Sequence, residues 1–238
     1  MAQVINTNVA ALFAGAALNN SANALRTAQE QLSSGLRINS VADDPTGLGT
    51  AMGYLKQING SNIAINDANN GISTAQTNDG YLAQIQANLQ RLYQIAVQLG
   101  GTASGAETTA LLAENTRINA LVTATGSVVV SDTGAAVTGA GVTITAPSAT
   151  TVTGIGSDIA NITAARQNFG ADIATFSSAV AVLQVSSVNL SASYSRIMDT
   201  DYAAATTAMT RNNILQQAGT AVLAQANQTP NSVLTLLR

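Results

Sequence analysis

Apolar residues recur along most of this chain at steps of three and four, the spacing that places them on one face of an α-helix. Leu18, Ala22, Leu25, Gln29, Leu32 and Leu36 alternate those steps, with Asn, Gln and Ser on the other side. This predicts a helix with a narrow heptad-like seam, weakening at Ser34-Gly35. Asn39 to Gly47 is a cluster of turn formers in which Asp44 reads as an N-cap and Pro45 as the first residue of a second helix. That helix runs to about Gly100, roughly 80 Å at about 1.5 Å per residue. It carries Ile65, Ala68, Ile72, Ala75 and Leu82, then Ile85, Leu89, Leu92, Ala96 and Leu99. Asp79 and the step from Leu82 to Ile85 predict a local shift of packing register. Beyond Gly100-Gly101, the residues Leu111, Leu112, Ile118, Leu121 and Val122 predict a shorter helix folded back alongside.

The pattern then changes. Ser127 to Val130, Val142 to Thr145 and Thr150 to Thr153 are β-branched runs separated by glycines and Pro147, which predicts two or three short strands. The most regular periodicity follows at Phe169, Ile173, Phe176, Val180, Leu183, Ser187, Leu190, Tyr194 and Ile197. Its natural partner is the long helix before Gly100, and a last helix from about Tyr202 to Gln228 pairs with the first. Pro230 is expected to end or distort that helix ahead of the apolar tail containing Leu234 and Leu237. The expected fold class is therefore mainly α: a long antiparallel helical bundle or coiled coil formed by the N- and C-terminal parts, with a small β element in the middle. The expected segments are 1–44, 45–124, 125–158, 159–200 and 201–238.

Composition narrows the function. Charged residues make up 9% and aromatics 3%, and tryptophan is absent, which suits slender helix seams better than a compact core. A formal charge of −3 gives nucleic-acid binding no electrostatic footing, and so few charges oppose association only weakly. The apolar stretch Val9 to Leu18 is too short to span a membrane, and no basic residue precedes it as in a signal peptide, so if the chain is exported, a route that keeps its N-terminus is expected. With no histidine and no cysteine, Ser-His-Asp and Cys-His machinery is excluded. Lys56 is the only lysine, and no phosphate-binding loop surrounds it. The acidic pairs Asp43-Asp44 and Asp199-Thr-Asp201 sit where helices begin or break, which makes capping their plain reading. Neither a catalytic site nor a cofactor or metal site is expected.

Met1-Ala-Gln-Val-Ile-Asn-Thr-Asn8, Leu32-Ser-Ser-Gly-Leu-Arg-Ile-Asn-Ser40 and Asp43-Asp44 resemble the N-terminal signature of bacterial flagellins. Ser195 to Tyr202, Ile214 to Gln228 and the closing Val233 to Arg238 are similar to the family's C-terminal half. The resemblance covers about residues 1–124 and 160–238 and implies a structural subunit of the flagellar filament. In flagellins the terminal helices build an inner tube, the long central helices an outer tube, and the middle faces outward; here the middle is too short for large outer domains.

The resemblance also implies extracellular location in a helical homopolymer. It implies export by the flagellar type III apparatus with a chaperone, and contact with filament cap and hook–filament junction proteins. Residues expected in filament assembly are Leu18, Leu25, Leu32, Leu36, Ile214, Leu215, Val222, Leu234 and Leu237. Those expected to hold the subunit's own bundle are Leu89, Leu92, Phe169, Ile173, Phe176, Val180, Leu183, Leu190 and Ile197. Asn88 to Gln98 is similar to the segment gripped by the flagellin-sensing Toll-like receptor, which would use Arg91, Ile95 and, from the next helix, Glu114. Tyr93 and Gln94 stand where well-recognised members carry charge, and packing within the bundle is the competing reading for Ile95. Rival functions are a hook–filament junction protein and an adhesive or glycan-contacting surface protein.

Overall fold

The computed structural model describes residues 7–122, 127–129, 136–138 and 145–236, and for the short strands and residues 229–236 the backbone alone. Among the described residues five helices carry the fold: α1 (Val9–Ser34), α2 (Pro45–Gln98), α3 (Ala106–Asn119), α4 (Val152–Met198) and α5 (Tyr202–Leu236). Two three-residue strands, β1 (Ser127–Val129) and β2 (Ala136–Thr138), pair antiparallel with Val128 opposite Val137. The chain forms two compact units, one of residues 1–53 and 193–238 and the other of residues 54–192.

Helix ends follow local chemistry. Asn8 caps α1 by accepting from Ala11 N at 3.1 Å, and Gly35 closes it in the left-handed conformation at φ 73°. Asp44 caps α2, its Oδ1 accepting from Thr46 N at 3.1 Å and Gly47 N at 2.8 Å ahead of a proline that needs no N–H. Gly100 and Gly101, at φ 80° and 122°, turn the chain after α2. Asp201 Oδ1 caps α5 by accepting from Ala203 N and Ala204 N at 2.9 and 3.2 Å.

In the second unit α2, α3 and α4 share one core. Its centre is Leu82, Ile85, Leu89 and Leu92 from α2, Ile118 from α3, and Ile155, Ile162 and Phe169 from α4. Arg166 of α4 reaches Asp79 of α2, while Val152 N donates to Gly101 O, so the chain segments run antiparallel. An isolated bridge between Thr102 and Thr151 ties α2's exit to α4's entry.

Three expectations are corrected. No register shift occurs near Leu82: the buried face of α2 runs Ser61, Ala64, Ala68, Gly71, Ala75, Asn78, Leu82, Ile85, Leu89, Leu92 and Ala96, alternating three and four throughout. Ile65 and Ile72 only flank that seam and Leu99 is exposed. Apolar residues alone do not trace that face, because Ser61, Gly71 and Asn78 occupy seam positions. The run Thr150 to Thr153 is not a strand; α4 begins at Val152, where Thr151 Oγ1 accepts from Gly154 N at 3.2 Å. Of the other runs, Ser127–Val129 is β1, whereas Val142 to Ile144 lie outside the described residues. Finally, of the two effects expected at Pro230, ending the helix does not occur, since α5 continues to Leu236.

Candidate functional site

Within the first unit, α1 and α5 lie antiparallel, with Asn8 against Ala226, Leu18 against Gly219, and Gly35 against Tyr202. The covered face of α1 runs Ala14, Leu18, Ser21, Leu25, Ala28 and Leu32. That of α5 runs Ala205, Met209, Asn212, Gln216, Gly219, Leu223 and Ala226, again at steps of four and three. Gln29, expected on the α1 seam, is exposed, and Ala28 takes its place because the step between seam positions there is three. Small residues let the backbones approach: a Cβ added at Gly219 would stand 3.2 Å from Leu18 Cδ1.

The two breaks in this unit are tied together. Arg37 N donates to Met198 O at 2.6 Å and Thr200 N to Gly35 O at 2.9 Å, making a bridge between Leu36 and Asp199. Ile38, Ala51 and Met198 form a small buried cluster beside it, with Leu36, Leu48, Tyr194 and Ile197 packed around. Asp43 Oδ2 accepts from Asn39 N and Ser40 N, and Asp199 Oδ2 from the Ser195 hydroxyl, so both acidic pairs are engaged in holding turns and helix ends.

Many apolar residues lie off these seams and remain in solvent. Phe13 is 76% exposed on α1, beside Val9 and Leu12. On α5 Ile214, Leu215 and Val222 are exposed, and Ile214 and Leu215 line an open groove with Thr206, Thr207, Thr210 and Arg211. On α4, Val182, Val185 and Val188 repeat every three residues with about two-thirds of their surface uncovered. This helix is long and apolar enough to cross a membrane by length and composition, and 11% of its most apolar window is buried, so most of that window is surface.

The structure thus separates the residues expected from sequence into two sets. Leu18, Leu25, Leu32 and Leu36 are covered within their own chain, whereas Ile214, Leu215 and Val222 are exposed. Leu234 lies in α5 with its backbone alone described, and Leu237 lies outside the described residues. Leu89, Leu92, Phe169, Phe176 and Leu183 are buried, while Ile173, Val180, Leu190 and Ile197 are half-buried on the same α4 face. Composition gave no hint of the buried polar residues. Asn88 donates to Asn115 Oδ1 at 2.8 Å in a buried link between α2 and α3, and Asp172 is buried on α4. Asn88 and Asp172 each stand one residue before an apolar seam position, Leu89 or Ile173, so the alternation of three and four does not mark them.

The second unit's charges act as clamps. Arg166 donates to Asp79 Oδ1 and Gln86 Oε1, both at 2.7 Å, and the bond to Asp79 raises the guanidinium's pKa despite partial desolvation. Arg91 pairs with Glu107 at 2.8 Å, which raises the pKa of Arg91, and Arg117 pairs with Glu114 at 2.6 Å. Arg91 and Glu114 are on the surface, but Ile95 is only 7% exposed and belongs to the core.

This combination of a terminal helix pair and a longer central bundle matches one family along both halves. Residues 5–132 match the bacterial flagellin N-terminal helical region and residues 152–237 the C-terminal helical region, leaving only 133–151 between them. A flagellin of Salmonella muenchen is 47% identical over 128 residues, covering 53% of this chain and 25% of that protein. Flagellin 1 of Proteus mirabilis is 46% identical over 112 residues, covering 47% of this chain and 31% of that protein. The matched part is thus a third or less of those relatives. A flagellin of Xenorhabdus nematophila is 32% identical over an alignment that covers the whole of both chains. With both of its helical regions matched, in the family's order and over most of its length, the chain belongs to the bacterial flagellins.

Proposed function

We propose that this chain is a structural subunit that polymerises into the helical filament of a bacterial flagellum, and that it carries out no catalysis. The observation that carries this reading is the pair of apolar faces left uncovered on family-typical helices, at Val182, Val185 and Val188 on α4 and at Ile214, Leu215 and Val222 on α5. Removing such surface from water stabilises contact by about 25 cal/mol per Å². A stable monomer has no reason to leave whole stripes in solvent, whereas a polymer buries them against neighbours. Contacts between unlike faces do not close on themselves, so repetition produces a helix of subunits.

In this reading the α1–α5 pair builds the inner tube and the bundle of α2, α3 and α4 the outer one. The subunit leaves the cell through the flagellar export apparatus with a chaperone, and adds beneath the filament cap, beyond the hook–filament junction. The test is electron microscopy of the purified protein, alone and with filament seeds. Filaments are expected, and a protein that stays dispersed in the presence of seeds overturns the reading.

A second activity is favoured by the surface position of Arg91 and Glu114. The dissociated subunit engages a flagellin-sensing Toll-like receptor through these two side chains, with Ile95 supporting the helix from beneath. An exposed guanidinium makes multi-donor planar contacts suited to such an interface. Receptor signalling is expected from the monomer and to fall in the intact filament and in an Arg91→Ala monomer. Equal signalling from all three rules this out.

A further inference from the structure

The Asn8 side chain bonds to two helices at once. Its Oδ1 accepts from Ala11 N at 3.1 Å, capping α1, and its Nδ2 donates to Ala226 O on α5 at 2.9 Å, across 218 residues of sequence. The identity of that carbonyl is the important point. In an α-helix the oxygen of residue 226 receives its bond from the N–H of residue 230, and residue 230 is a proline, which has none. Asn8 therefore supplies a donor where α5's own ladder lacks one. The helix nonetheless continues from Ala226 through Pro230 to Leu236.

We propose that Asn8 is a positioning residue that fills the hydrogen-bond gap made by Pro230, fixing the register of α1 against α5 and holding α5 continuous past the proline. One planar amide does both jobs, since the acceptor end serves the cap and the donor end serves the gap. Serine caps a helix as well as asparagine but is too short to keep both partners. Aspartate caps as well and has no donor at all. The Leu18–Gly219 contact farther along the pair sets the same register from packing, so Asn8 fixes its far end. Because the proposed filament contacts include Ile214 and Val222 on the same helix, loss of the link moves the surface that neighbours meet. This consequence rests on the filament reading, whereas the link itself does not.

The experiment is a double-mutant cycle in the full chain with Asn8→Ser and Pro230→Ala, repeated with Asn8→Asp. Pro230→Ala restores the missing N–H within α5, so the substitutions at Asn8 lose their effect on that helix. Amide exchange in residues 227–236 is expected to speed up about fivefold in Asn8→Ser, the factor that one net hydrogen bond carries. It is expected to be nearly unchanged by the same substitution when residue 230 is alanine. The critical concentration for polymerisation follows the same pattern. Equal acceleration in both backgrounds overturns the proposal, because Asn8 would then act only as a cap. Should the wild-type chain fail to polymerise, the filament reading fails while the exchange measurement still decides the role of Asn8.

Discussion

The terminal α1–α5 pair and the central bundle are built on the same alternation of three and four residues, yet they are filled very differently. In the bundle, Leu82, Ile85, Leu89, Leu92, Ile155, Ile162, Phe169 and Phe176 are all but inaccessible. Burying a side chain of that size contributes about 1.5–3 kcal/mol. In the terminal pair Leu18, Leu25, Leu32, Met209 and Leu223 are interspersed with the small or polar Ala14, Ser21, Ala28, Ala205, Asn212, Gln216 and Gly219, and the large apolar residues Phe13, Ile214 and Val222 point away from the seams. Ordering a residue costs about 1–2 kcal/mol of backbone entropy, which small and polar seams offset poorly. Periodicity therefore specifies that helices pair, while the volume of the residues at those positions decides whether the pair stands alone. In the proposed polymer the bundle would fold by itself and the terminal pair would gain stability from neighbours.

The largest effect that would expose this difference is deletion of Ile214 to Arg238. Polymerisation is expected to be lost entirely, while the bundle keeps its cooperative melting transition and helical circular dichroism. Filaments of normal length from the truncated chain would erase the distinction between the units.

Next comes a pair of core truncations. Phe169→Ala is expected to cost about 3–5 kcal/mol and Leu25→Ala about 2 kcal/mol or less, because the ring leaves a larger void among neighbours that cannot close it. Denaturant melts should show the first change in the main transition of the isolated subunit. The second should appear chiefly in the stability of assembled protein.

How far this contrast was legible in the sequence depends on the residue type at each seam position. The α4 stripe from Phe169 to Ile197 was read in full, because large apolar side chains mark every turn except Ser187. The α2 seam was displaced at Ile65 and Ile72, where β-branched residues flank the buried Ala64 and Gly71. Capping was readable at Asp44 and Asp201, since a carboxylate before a helix has a local use. The consequence of Pro230 was not, because the donor that answers it comes from Asn8 at the other end of the chain. The buried Asn88–Asn115 bond was hidden for the same reason: its meaning lies in a partner 27 positions away.

A smaller effect tests whether the terminal seam is as tight as its small residues imply. Gly219→Leu inserts a side chain where even a Cβ would lie 3.2 Å from Leu18 Cδ1. Overpacking of this kind costs about 1–3 kcal/mol, and it should separate α1 from α5 without touching the bundle. Faster amide exchange confined to the two terminal helices is the expected signature, and exchange spread evenly through both units would show that the seam has room to spare.

The smallest effect lies on the surface of the bundle, at the Glu114–Arg117 pair one turn apart on α3. Arg117 Nε and Nη2 donate to the two carboxylate oxygens of Glu114 at 2.8 and 2.6 Å, and these bonds hold its carboxyl below the ordinary glutamate value. A carboxyl whose folded pKa is lowered binds protons more weakly in the folded than in the unfolded state. Its contribution is therefore present above the unfolded value and disappears as pH falls through the folded one. Both side chains are well exposed, so screening keeps the contribution small and salt should reduce it further. The titration of the Glu114 carboxyl, followed by NMR, is expected to have its midpoint below that of an unstructured glutamate and to move up in Arg117→Met. Glu114→Gln should remove this pair's part of the acid sensitivity of α3 and leave the terminal pair unchanged. An unshifted midpoint in Arg117→Met would show that something other than the guanidinium lowers it.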